Sequence, residues 1–211
     1  MTESPRGARS EQKEATRQAI LAAALRLSSD TGLSGLSLRA VAKAVGIVPT
    51  AFYRHFGSIE ELGVALVDQA FASLRQVLRD IRADMVDLER IIDTSVAILV
   101  ASVRDRPEQF SFIARERVGG PPAVREAIRT ELALFERELA TDVARLPGLE
   151  RWSSEDLRVL ANLIVTSMVA TAEAVLTTPP GRPDLDRDVV RTAEKQLRMV
   201  IIGAANWRSR P

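Results

Sequence analysis

The chain has 211 residues, no cysteine and a single histidine, which removes thiolate metal sites, disulfide frameworks and cysteine nucleophiles. Net charge is +1 but unevenly placed: residues 1–57 carry eight Lys/Arg against four Asp/Glu, and the remainder carry 21 against 24. A basic small unit joined to a mildly acidic larger one fits a nucleic-acid-binding head on a separate body.

The N-terminus is polar and lacks a signal-type apolar run. The longest apolar runs read as too short and interrupted to span a bilayer. A cytoplasmic protein with no membrane partner is therefore expected. Residues 1–10, rich in Ser, Pro, Gly and Arg, read as a disordered arm. Two readings stand for Arg6 and Arg9: a solvated tail, or phosphate and minor-groove contacts of the kind N-terminal arms make. From about Glu11 to Ser29 the spacing is helical. Ile20, Ala23, Ala24 and Leu27 form its stripe, and Gly32 is its stop.

The stretch Leu36–Leu62 organises the rest. Ser37 is placed to cap a short helix whose apolar face is Val41, Ala42 and Val45. Gly46 follows, where a left-handed residue ends a helix and turns the chain. Val48-Pro49 restarts it, with proline suited to a first helical turn. Ala51, Phe52 and Phe56 face inward, which leaves Thr50, Tyr53, Arg54 and His55 outward. This is a helix-turn-helix pattern, whose second helix enters a DNA major groove. The candidate DNA-binding residues are Arg39, Lys43, Val48, Pro49, Thr50, Tyr53, Arg54, His55 and Ser58. Cationic and hydroxyl groups hold phosphates, and short or apolar side chains meet base edges and thymine methyls.

Ser58 with Glu61 is a capping-box pattern. Leu62, Leu66, Ala70, Leu74, Val77 and Ile81 continue a helix to about Arg82 with no linker. Tilting its far end moves the recognition helix. Five more helices are expected: about Val86–Arg104, Pro107–Val118, Pro121–Leu146, Ser153–Thr177 and Leu185–Asn206. Pro147-Gly148 and the loop Thr178–Pro183 separate the last three. No stretch alternates long enough for a strand. The fold class is all-α with nine helices: a three-helix domain over 11–57, then a ligand-binding and dimerisation domain over 58–211. The eighth helix is apolar on nearly every side. With the ninth (Val189, Val190, Ala193, Leu197, Val200, Ala204) it makes a natural four-helix dimer interface.

Catalysis has little support, because His55 lies in the recognition helix and no phosphate loop follows a strand. An enzyme is not expected, and neither is a bound cofactor. Arg115, Glu116 and Arg117, like Glu126 and Glu131, read as exposed helical charges. Glu173 sits in the apolar eighth helix, so it pairs with a base or faces a wet cavity or the dimer seam. A greasy cavity among the fourth to eighth helices has Phe71, Leu74, Phe110, Ile113, Phe135, Leu163 and Met168 as candidate walls. Each also reads as plain core.

At Leu38–Leu62 the chain resembles the TetR family of transcriptional regulators: an Ala-rich second helix, a glycine turn, Phe52-Tyr53-Arg54-His55-Phe56, and the Glu60-Glu61-Leu62 helix start. The nine-helix layout agrees along the whole length. The resemblance implies a homodimer on a palindromic operator, acting as a repressor released by a small ligand. Ile59 departs from the family, where many members place lysine near phosphate. Backbone amides of that helix start can still serve. Segments at Leu38–Val67, Arg115–Arg117, Ala172–Ala174 and Gln196–Met199 also resemble the subgroup that represses unsaturated fatty acid synthesis, the FabR and DesT type. That likeness implies an acyl-CoA effector. The CoA phosphates would need arginines at the cavity mouth, for which Arg115, Arg117 and Arg125 are the candidates, and Glu173 is a candidate ligand-binding residue by its place in the apolar helix. The alternative to an acyl-CoA effector is a repressor of an efflux or catabolic operon released by a drug or another small lipophilic molecule. A helical scaffold is the competing class; salt-dependent DNA binding discriminates it.

Overall fold

The computed structural model describes residues 5–82, 88–146 and 148–209. Among these are nine α-helices and no strand: α1 Pro5–Thr31, α2 Leu38–Val45, α3 Pro49–Phe52, α4 Ile59–Arg82, α5 Leu88–Asp105, α6 Pro107–Gly119, α7 Pro122–Val143, α8 Ser154–Thr177 and α9 Pro183–Asn206. A single 3-10 turn, Leu33–Gly35, links α1 to α2.

Several boundaries are set by the residues read as punctuation. The Ser37 side chain accepts from Ala40 N–H at 3.1 Å and caps α2. Gly46 ends α2 in the left-handed region, φ 74°. Pro49 occupies the first turn of α3. Ser153 caps α8 by accepting from Asp156 N–H. The expected capping box at α4 is shifted by one residue on its acidic side. Ser58 Oγ accepts from Glu61 N–H at 3.0 Å, but the Glu61 carboxylate accepts from Gly57 N–H at 2.7 Å.

Other expectations change. α1 starts at Pro5, so residues 5–10 are helical where an arm was expected. Its buried line is Ile20, Leu21, Ala24 and Ser28, with Ala23 beside it, and Leu27 is 37% exposed. The line follows i, i+4 steps, which carry it past position 27 to 28. α3 is shorter than expected because the chain tightens after Phe52. His55 N–H and Phe56 N–H both donate to Phe52 C=O, at 2.8 and 3.1 Å. The Val77 and Ile81 side chains of the α4 stripe, the start at Val86 and the stop at Pro147 lie outside the described residues.

Two compact units result. The first is Met1–Ala70 with Ser111–Ile128, and the second is Phe71–Phe110 with Arg129–Pro211. The expected 11–57 domain is thus part of a larger unit that also holds the start of α4, most of α6 and the start of α7. The reason is size, since α1 with the two short helices α2 and α3 closes only a marginal core. Its buried set includes Ile20, Leu33, Val41, Phe52, Phe56, Leu62 and Val67 together with Phe112, Val124 and Ile128. Gly63 marks the tightest packing. A Cβ there would collide with Leu33 Cδ2 and Val124 Cγ2.

In the second unit α5, α8 and α9 pack on one another. Ile92 and Val96 meet Ala193 and Leu197, with Met168 packed against them. Leu99 and Val103 meet Val175, again with Met168 and also Phe110. Near the C-terminus Val143, Leu149, Leu160 and Ala204 form a third cluster. Polar ties hold the periphery. The Arg104 guanidinium donates to Thr178 C=O at 3.2 Å and pairs with Asp186. Arg198 reaches Asp93 at 2.5 Å.

Candidate nucleic-acid interface

α2, α3 and the turns on either side of α3 belong to one unit, and they carry the residues singled out from the sequence. Arg39, Lys43, Val48, Pro49, Thr50, Tyr53, Arg54 and Ser58 are exposed, and His55 is half-buried. Tyr53 and Val48 are 59% and 64% exposed although apolar in body, which leaves them available to a partner. Ser58 Oγ is already engaged as the acceptor that caps α4.

A ring cluster seats the short α3. Phe52 and Phe56 are fully buried, with centroids 5.8 Å apart, and Tyr53 stands edge-on to Phe52 at 6.0 Å. The sequence reading missed Arg17. It lies on the buried side of α1, one turn before Ile20 and Leu21. Its guanidinium sits 4.3 Å over the Phe56 ring and donates to His55 C=O at 3.2 Å. One side chain therefore stacks on the core ring and holds a carbonyl at the end of the recognition segment. The signal was available in the i, i+4 line, which extends back from Ser28 through Ala24 and Ile20–Leu21 to position 17.

Ser10, Lys13, Glu14, Arg17, Arg54 and His55 line a shallow, mostly polar groove beside this turn. Burial, and then the Lys13 and Arg17 charges, push the His55 imidazole below the ordinary histidine value; Glu14 opposes them. Its Nδ1 is buried without a hydrogen-bond partner.

The residues proposed from sequence as effector contacts divide. Phe71, Leu74, Phe110, Phe135, Leu163, Met168 and Glu173 fall in the second unit, whereas Ile113, Arg115 and Arg117 fall in the first. Phe71 and Phe135 are buried with rings 5.7 Å apart. Met168 and Phe110 pack in the core clusters. Leu163, expected as a wall, is 50% exposed on α8. Glu173 is half-buried and has a partner, as does the exposed Arg117. Arg115 and Arg125, read as candidates for CoA phosphates, each hold a backbone carbonyl. They donate to Ser28 C=O at 2.8 Å and Gly120 C=O at 2.5 Å. Glu116, read as an exposed charge, is 2% exposed. Glu131, read the same way, is half-buried and pairs with Arg75, which lies over the Phe135 ring.

The remaining outward surface of note is apolar. Val159 and Leu163 on α8, four residues apart, and Met199 and Ile202 on α9, three apart, are all at least half exposed. α8 is also long and apolar enough to cross a membrane, contrary to the sequence reading, yet only 22% of its apolar window is buried within the chain.

A family model described as bacterial regulatory proteins, tetR family, matches residues 20–66. A second, described as tetracyclin repressor-like, C-terminal domain, matches residues 88–203. Among solved structures, the fatty acid degradation regulator FadR from Bacillus halodurans is similar over 100% of both chains, at TM-score 0.71 and 14% identity. FadR from Bacillus subtilis, solved in complex with stearoyl-CoA, is similar at TM-score 0.71 and 14% identity, over 88% of this chain and 98% of that one. A transcriptional regulator from Rhodococcus sp. RHA1 covers 91% of this chain and 99% of its own, at TM-score 0.66 and 20% identity. At these identities the likeness speaks to the fold.

Proposed function

The chain belongs to the TetR family of bacterial regulatory proteins, and from that premise we propose that it is a homodimeric repressor that binds a palindromic operator and responds to a long-chain acyl-CoA. A ligand-responsive transcriptional regulator is what the family consists of. The operator contacts, the dimer face and the effector are our own assignments.

The observation that carries the DNA reading is the capped α2, the left-handed Gly46 and the ring-seated α3, with Arg39, Lys43, Thr50, Tyr53 and Arg54 exposed on the same unit. Arg39, Lys43 and Arg54 are assigned to phosphates. Val48, Pro49, Thr50 and Tyr53 are assigned to the groove floor, where methyl and ring contacts read thymine. His55 donates from the turn, and backbone amides at the start of α4 beside Ser58 donate to a phosphate in place of the lysine missing at Ile59. In the dimer the two α3 segments stand about 34 Å apart, one duplex turn. Such a regulator works where the DNA is, in the cytoplasm.

The dimer is assigned to α8 and α9. Their exposed Val159, Leu163, Met199 and Ile202 form an apolar surface that a second copy of the same helices buries. The same burial explains the apolar α8 without a membrane. The effector is assigned to the aromatic interior of the second unit around Phe71, Leu74, Phe110 and Phe135. An acyl chain gains about 0.8 kcal/mol per buried methylene, so few polar contacts are needed. The stearoyl-CoA complex of the Bacillus subtilis protein supports that ligand class. Control of fatty acid genes follows from it. α4 runs unbroken from Ile59 to Arg82, which gives the effector a continuous element leading to the recognition segment.

Mobility shift with the upstream intergenic duplex tests the regulator. Retardation that weakens as salt rises is expected, and a dimer that binds no duplex refutes it. Native mass spectrometry of the purified protein tests the effector. A long-chain acyl-CoA is expected to bind and to change operator affinity; failure of both removes that ligand.

A further inference from the structure

Glu116 is a carboxylate buried to 2% exposure on a helix whose adjacent residues Arg115, Arg117 and Val118 are exposed. Its Oε1 accepts from Leu33 N–H at 2.9 Å, across 83 residues of sequence. The preceding residue, Arg115, donates from Nη1 to Ser28 C=O at 2.8 Å. Consecutive residues of α6 thus hold a carbonyl from the last turn of α1 and the first amide of the 3-10 turn that leads to α2.

The surroundings are shaped around this contact. Gly32 lies between the two held groups at φ +68°, a conformation side chains resist. A Cβ on it would stand 3.1 Å from Glu116 Oε1 and 3.4 Å from Arg115 Cδ. On the other side, a Cβ at Gly120 would stand 2.6 Å from the Glu116 carbonyl and 2.7 Å from its Oε2. Two glycines from distant parts of the chain therefore leave room for one carboxylate. Leu33, the residue whose amide is held, is 1% exposed, and its side chain fills the space that a Cβ on Gly63 of α4 would need. α6, the turn before the helix-turn-helix and α4 meet at this leucine.

We propose that Arg115 and Glu116 are positioning residues that couple α6 to the helix-turn-helix through the Ser28–Leu33 turn, as a second route beside α4. The inference rests on the regulator reading. Residues 107–110 of α6 are grouped with the second unit and 111–119 with the first, within one unbroken helix. A shift of that helix withdraws the carboxylate from Leu33 N–H and leaves a buried donor unpaired. The unpaired donor then favours a different setting of the turn, and with it of Ser37, which caps α2 two residues after the 3-10 turn.

Hydrogen exchange on the full-length protein, free and with its operator duplex, tests this with E116A, E116Q and R115M. In the wild type, the duplex should slow exchange in residues 111–119 as well as in 37–58. In E116A the slowing at 37–58 should remain while that at 111–119 falls by at least about fivefold, the low end of allosteric coupling. E116Q, which keeps an acceptor oxygen, should restore it. A merely structural role would raise baseline exchange and lower Tm, yet leave the duplex-induced slowing intact. Wild-type residues 111–119 that ignore the duplex, or an E116A response equal to wild type, overturn the coupling. The free-protein arm needs no DNA: E116A should speed exchange at 33–45 without speeding 193–204, and no change at 33–45 removes the joint itself. If no duplex binds, the regulator reading fails and this arm alone decides the joint. If E116A loses its helical circular dichroism, E116Q and R115M carry the comparison.

Discussion

On α2, α3 and the turn after them the side chains turned to solvent include Arg39, Lys43, Thr50 and Arg54, while the rings of Phe52 and Phe56 are fully buried. On α8 and α9 the arrangement is partly reversed, and Val159, Leu163, Met199 and Ile202 stand at least half exposed. The two regions of one chain solve different problems. Cationic groups remain hydrated until they neutralise the phosphates of a polyanion and release its condensed counterions. Aliphatic groups in water gain by meeting another such surface, which we assign to a second copy of the chain. Each region has outward groups that packing within the chain leaves unused.

The largest effect should come from charging the apolar region. Leu163→Glu or Ile202→Glu places a carboxylate at a self-complementary face and, by symmetry, does so twice. Dimer dissociation constants should rise more than about 100-fold, near 3 kcal/mol, in sedimentation equilibrium, with helical content unchanged. An unchanged dimer would move the interface elsewhere. Next in size is the packing that keeps the cationic face rigid. Gly63→Val has no space between Leu33 and Val124, and overpacking of this kind lowers stability by about 1–3 kcal/mol in urea unfolding.

Smaller changes sharpen the same contrast. Arg39→Ala or Lys43→Ala removes one phosphate contact per chain. In a dimer the slope of log affinity against log salt should flatten by about 2, whereas a monomer on a half-site would show about 1. Leu163→Glu should abolish that doubling. The smallest effect is the His55 pH dependence. Burial and the Lys13 and Arg17 charges lower its folded pKa, so the neutral form is the stable one. Its contribution is full above the ordinary value of about 6.5 and is lost as pH falls from there through the folded value. His55→Gln should remove that part of the acid-side loss in Tm measured across this range.

The helix-turn-helix was legible because its signals are local. Ser37, Gly46, Pro49 and Ser58 act within three or four residues of where they stand, and each does so here. Glu116 was not legible, because its burial depends on Leu33, 83 residues away, and an Arg-Glu-Arg run on a helix looks solvated. Arg17 escaped notice for the same reason, with its ring and carbonyl partners in the recognition segment. Leu163 was read as inward because it is apolar, and it is 50% exposed on α8, a position that the equation of apolar with inward does not foresee. That the compact unit holding the helix-turn-helix also takes in Phe112, Val124 and Ile128 was not legible, because these buried residues come from much later in the chain.

Sedimentation of the wild-type protein with a labelled duplex from its upstream intergenic region, titrated with salt, tests the central claim most directly. The account predicts a complex of two chains per duplex site whose affinity falls linearly in log–log form as salt rises. A dimer that binds no duplex at any salt concentration, or a single chain bound with no salt dependence, contradicts it.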